Sequence, residues 1–136
     1  MKVVLDTNIL ISALVFGGKP RAILEMILFG KKVIGITSLK LTHELLGVLR
    51  DKFVYSQTEL SKIEKLIKHN FVIVDPKFVP NIIKEDPFDN NVLAIVHEMK
   101  INFIISGDNH LLNVKHYKNI PIVTPHGFLR MASNNT

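Results

Sequence analysis

Cysteine is missing from all 136 residues, and that absence excludes thiolate zinc sites, iron–sulfur clusters and cysteine nucleophiles. Any metal must be held by oxygen or imidazole. The lack of thiols also fits a reducing compartment. No apolar run approaches the roughly 18 residues of a membrane span. No charged-then-apolar leader precedes Val3, where the first apolar strand begins, so a cytoplasmic location away from membranes is expected. Internal repeats, low-complexity tracts and linkers are lacking, and residues 1–136 are expected to fold as one domain. Also missing are a serine-triad motif, a glycine loop that would cradle phosphate, and an Asp-x-Asp phosphatase signature, because position 8 is Asn8.

What the chain does contain is apolar and basic. A hydrophobic content of 47% excludes a disordered chain and suffices for a real core. Lysine and arginine outnumber the acids 17 to 12, for a net charge of +5. Lys19, Arg21, Lys31, Lys32, Lys40, Arg50 and Lys52 all fall in the first half. Such a surface suits phosphate. A basic surround of this kind can hold a phosphate backbone. Lys19, Arg21 and Lys40 are the candidates for an RNA-binding track.

The hydrophobic pattern predicts an α/β fold, a mostly parallel central sheet flanked by helices on both faces. A first strand ends at Asp6. Helices are expected over about 8–14 and 21–29, the second opened by Pro20 and stopped by Gly30, with a break across 16–20. After a strand at 33–37, Ser38 caps a helix whose Leu41, Leu45, Val48 and Leu49 form an apolar stripe. Ser56 and Glu59 make a capping box for a further helix. A strand at 71–74, a loop over 75–86 and a long helix over 87–100 follow. Strand 101–106, short helix 108–112, strand 120–123 and helix 125–132 complete the chain.

Four carboxylates fall where such a sheet would gather them. Asp6 and Asp108 each follow an apolar strand, and ligands of parallel sheets bind beyond the carboxyl ends of the strands. Glu44 lies three residues after Leu41, on the flank of its helix's buried stripe. Asp89 precedes Val92 and Leu93 by three and four residues, on the core-facing side of its helix, with Asp86 three residues earlier. Helix capping and the helix dipole offer an ordinary explanation for Asp6, Asp86, Asp89 and Asp108 taken singly. Their coincidence argues for a divalent cation, because crowded acids repel one another unless a metal offsets their charge. Hard oxygen ligands suit Mg²⁺ or Mn²⁺.

Leu5-Asp6-Thr7-Asn8 with Ser12-Ala13, then His43-Glu44-Leu45, Asp86-Pro87-Phe88-Asp89-Asn90 and Ser106-Gly107-Asp108 with Leu111-Leu112, together resemble the ordered motifs of PIN-domain ribonucleases across essentially the whole chain. The likeness points to the prokaryotic branch of VapC-like toxins. The resemblance implies Asp6, Glu44, Asp89 and Asp108 as catalytic, metal-binding acids with Asp86 as an auxiliary ligand. It also implies Thr7, Asn8, Asn90 and Ser106 as polar groups behind them. It further implies an endoribonuclease, the toxin of a toxin–antitoxin pair, acting on RNA and inhibited by an antitoxin protein. The alternatives are an inactive PIN-like module for binding RNA or protein, and a receiver-like or phosphatase-like domain.

One position departs from that branch, whose members often carry a second aspartate two residues after the last acid. Here it is His110, expected to be a surface or supporting side chain rather than a ligand. A mean hydropathy of +0.25 further predicts a homodimer. Leu10, Ile11, Leu14, Val15, Phe16, Ile27, Leu28 and Phe29 are the candidates for apolar surface buried against a partner.

Overall fold

Alternate residues of a strand face opposite sides of a sheet, and in the first strand, β1 (Lys2–Leu5), Val3 and Leu5 join one buried cluster while Val4 joins another. A strand buried on both faces belongs at the centre of a parallel sheet. The computed structural model, which describes residues 1–134, places it there. β2 (Ile34–Ser38), β3 (Phe71–Val74), β4 (Phe103–Ile105), β5 (His116–Tyr117) and β6 (Ile120–Val123) complete a sheet of order β3-β2-β1-β4-β6-β5. Every pairing is parallel except β5 with β6. Leu5 pairs with Ile105, and the Asp6 N–H donates to the Ile105 carbonyl at 3.0 Å. That register sets Asp6 and Ser106 side by side beyond the carboxyl edge.

Helices cover both faces. On one side α1 (Thr7–Val15), α2 (Gly18–Phe29), α3 (Leu39–Phe53), α4 (Gln57–Asn70) and α7 (Pro125–Asn134) contribute to a core that includes Leu10, Ile23, Leu45, Leu49, Ile67 and Phe128. On the other, Leu41 at the start of α3 packs with Val92 and Leu93 of α5 (Asn90–Ala94) and Leu111 of α6 (Asn109–Leu112). The expected caps form. Ser38 accepts from the Leu41 N–H, and Ser56 and Glu59 exchange both bonds of a capping box. In β2, Gly35 lies under the Phe71 ring, which a Cβ would approach to 2.5 Å.

Several expectations need correction. The break at 16–20 shrinks to Phe16 and Gly17, because Gly17, at φ 90°, turns the chain directly into α2. The long helix over 87–100 is instead a 3₁₀ turn (Pro87–Asp89), the short α5 and a second 3₁₀ turn (Ile95–His97). Its ends wind tightly, Asp89 N–H to Asp86 O and Glu98 N–H to Ile95 O, and the Asn90 side chain donates to the Pro87 carbonyl. The antiparallel β5 was not expected. It arises from a two-residue turn in which Lys118 and Asn119 take φ of 50° and 66°, the twist that suits a hairpin. Leu10, Ile11 and Ile27 are core residues rather than interface candidates, since their stripes face the sheet. Phe16 and Phe29 do remain exposed. Among the described residues no helix is long and apolar enough to cross a membrane.

Candidate active site

The carboxyl edge of β1 and β4 carries the first two acids. Asp6 is almost fully buried and caps α1, its Oδ1 accepting from the Asn8 N–H and its Oδ2 from the Ser106 hydroxyl. The fully buried Ser106 Oγ also accepts from the Asp108 N–H at 2.9 Å. Asp108 in turn caps α6 through the His110 N–H. Burial is the chief reason the Asp6 pKa is raised, and the Asp108 charge adds to it. The hydrogen bonds from Ser106, Asn8 and Ile9 oppose the rise.

Three acids have no such structural task. Asp86 stands ahead of the Pro87 turn and Asp89 ahead of α5, yet neither side chain makes a capping bond. Asp89 Oδ2 is sealed from solvent without a hydrogen-bond partner. Its pKa is pushed from 3.8 to about 8, first by burial, then by the Asp108 carboxylate, and then by Asp86 and Asp6. Glu44, half-buried on α3, is raised as well, by burial and by the charges of Asp6 and Asp86. The buried Thr7 hydroxyl opposes that rise, although it lacks a partner of good hydrogen-bond geometry. Capping therefore accounts for Asp6 and Asp108 and leaves Asp86, Asp89 and Glu44 unexplained.

Asp86, Asp89, Asp108 and His110 each offer a ligand atom, all within 4.8 Å of one another. Asp6 and Glu44 lie outside that tight group and reach it electrostatically. The sequence had set His110 aside. The structure brings it in because Asp108 caps the very turn on which His110 sits, a relation legible in their spacing of two. The supporting groups differ in kind. Asn8 acts through its backbone, with its side chain exposed. Asn90 is buried and clamps the preceding loop, accepting from the N–H groups of Ile82 and Ile83 and donating to the Ile83 and Pro87 carbonyls. It thereby fixes the turn that carries Asp86 and Asp89.

Of the three basic candidates, Lys40 is exposed one helical turn before Glu44 on α3. Arg21 donates instead to the carbonyls of Ala13 and Leu14, closing the carboxyl end of α1. At 1.5 Å per residue, that end lies about 14 Å from Asp6. Exposed Lys19 shares it.

A family model described as PIN domain matches residues 2–110, a span that contains every acid of this cluster together with His110. The chain belongs to the PIN-domain family. It is 31% identical over 120 residues to the uncharacterized protein MJ1680 of Methanocaldococcus jannaschii, covering 85% of this chain and 76% of that one. Its fold is similar to the structure of the PIN domain endonuclease Utp24, with a TM-score of 0.53 at 21% identity over 90% of this chain and 84% of the other. PIN domains are typically metal-dependent nucleases, and the acid cluster of this one is compatible with that activity. The residues fit a divalent cation. The donors are oxygen and imidazole, they converge, and Asp89 has a buried oxygen without a partner, with burial and the neighbouring acids both opposing its ionisation.

Proposed function

We propose that this PIN domain is an endoribonuclease that depends on Mg²⁺ or Mn²⁺ and serves as the toxin of a toxin–antitoxin pair. The observation that carries the reading is the uncapped pair Asp86 and Asp89 beside Asp108, with Asp89 held protonated near neutral pH by burial and then by the acids around it. A group so placed costs stability, and a cation is what would recover it.

A bound divalent ion would supply Lewis-acid activation of water and neutralise charge on a phosphodiester. Asp89, Asp108 and Asp86 would hold it, and Glu44 and Asp6 would add negative charge beside them. Asp89 would release its proton as the ion enters. Ser106 keeps Asp6 and Asp108 in register, and Asn90 keeps the Pro87 turn in place. Lys40, at the first turn of α3, stands nearest the acids of the basic candidates and would contact substrate phosphate. Hydrolysis would leave a 5′-phosphate and a 3′-hydroxyl.

The partner proposals rest on surface. Phe16, edge-on to Phe53, and Phe29 are 73% and 80% exposed, which supports a homodimer or an antitoxin contact near α1 and α2. Cleavage of cellular RNA with EDTA, Mg²⁺ or Mn²⁺, with the cut ends mapped, tests the activity. Metal-dependent cuts with 5′-phosphate ends support it, whereas RNA binding without cleavage would favour an inactive module. Growth arrest on expression, relieved by a protein encoded beside it, tests the toxin role.

A further inference from the structure

Position 110 sets an imidazole among carboxylates. One ring nitrogen of His110 lies within 4.8 Å of oxygens from Asp86, Asp89 and Asp108, which are equally close to one another. The backbone delivers it there, because the His110 N–H donates to Asp108 Oδ1 at 2.7 Å in the first turn of α6. The ring itself is not held. Its Nδ1 is 3.6 Å from Asp108 Oδ1, beyond a hydrogen bond, and 43% of the side chain is exposed. The other histidines differ. His97 is engaged with the Tyr117 hydroxyl at 2.6 Å, and His43, next to Glu44, is exposed outside the group.

Taking the acid cluster as a divalent-cation centre, we propose that His110 is a direct metal ligand and that it makes this site select a first-row transition ion such as Mn²⁺ over Mg²⁺. Mg²⁺ demands near-ideal octahedral oxygen coordination and gives up its waters reluctantly. An imidazole nitrogen is a softer donor that first-row transition ions accept more readily. A neutral imidazole in place of a further carboxylate also lowers the total negative charge. That change removes part of the purely electrostatic attraction on which a hard ion depends. Three carboxylates and one imidazole therefore bind both ions, with unequal loss.

The test reads the ligand directly in the full chain loaded with Mn²⁺ alone, with Mg²⁺ as competitor. Pulsed EPR of the wild type should show the nitrogen coupling of a bound imidazole. His110→Ala should lose it. In calorimetric titrations His110→Asp should lower the ratio of Mn²⁺ to Mg²⁺ affinity by about tenfold. The side chain is exposed, and either variant keeps the N–H that caps α6, so the fold should survive. A nitrogen signal that persists in His110→Ala, or an affinity ratio unchanged in His110→Asp, would overturn the proposal. Mn²⁺ bound with no nitrogen coupling in the wild type would overturn it while leaving the cation centre intact. Binding of neither ion at millimolar concentration would remove the centre itself.

Discussion

The Ser106 hydroxyl donates to Asp6 Oδ2 while accepting from the Asp108 N–H, so a single oxygen joins the carboxyl ends of β1 and β4. Ser106 is fully buried, and Asp6 lies 100 residues from it in sequence. The contact fixes the distance between the acids of two strands. The capping roles of Asp6 and Asp108 thus coexist with a place in the cluster. Stability and the site share the same atoms.

Ser106→Ala should therefore act on both. It leaves a buried carboxylate oxygen without its donor, at a cost of about 1–3 kcal/mol in chemical denaturation. Cation affinity, read by titration calorimetry, should fall about 10–100-fold as Asp6 and Asp108 lose their register. A variant that loses stability but keeps wild-type cation affinity would confine Ser106 to the scaffold.

Metal-free stability should depend on pH with a definite sign. The folded-state pKa of Asp89, about 8, lies above the unfolded value of 3.8, so between those pH values the native state holds a proton that the unfolded chain has released. Stability is then fully present below the lower value and is lost as pH rises through the upper one. Asp6 and Glu44, also raised, add in the same direction. Thermal unfolding in EDTA should give a melting temperature that declines from pH 5 to pH 8, with a shallower decline in Asp89→Asn. A rising or flat profile would contradict the charge crowding.

Cleavage should fail when the acids are neutralised. Asp89→Asn, Asp108→Asn, Glu44→Gln and Asp6→Asn should each lower the rate by more than about 100-fold, since removing even the partners behind a ligand costs about 10–100-fold. Asp89→Asn should meanwhile unfold no more easily than wild type in EDTA, because an amide is neutral there without having to hold a proton. Near wild-type rates for three of the four would dismiss the site.

The basic residues Lys40 and Arg21 should separate cleanly. Lys40→Ala in an inactive background should reduce the salt dependence of RNA binding by about one phosphate contact. Arg21→Ala should leave that slope unchanged but destabilise the fold by about 1 kcal/mol, through the lost bonds to Ala13 and Leu14. The reverse pattern would move the RNA track to the α1–α2 turn.

Gly35→Ala tests the packing of β2 on β3. A Cβ would come within 2.5 Å of the Phe71 ring, and relief of such overpacking costs about 1–3 kcal/mol. Denaturation should show that loss with cation affinity unchanged.

The sequence alone determined the class of fold and named the acids that could gather at the carboxyl edge of the sheet. Apolar runs long enough only for strands, apolar stripes of helical period and local caps such as Ser38 and the Ser56–Glu59 box are properties of neighbouring residues, so they can be read without the fold. An aspartate directly after a buried strand likewise announces the edge at which it will stand. Only the tertiary structure decided how the acids divide. Asp6 proved to be a buried cap tied to Ser106, while Asp86, Asp89, Asp108 and His110 form the tight group. The register of β1 against β4, and the clamp of Asn90 on the Pro87 turn, bring those residues together. The same holds for Arg21, whose guanidinium the end of α1 takes up. A side chain's type limits the partners it can bind, but which partner it meets is a matter of distance between segments remote in the chain, and packing sets that distance.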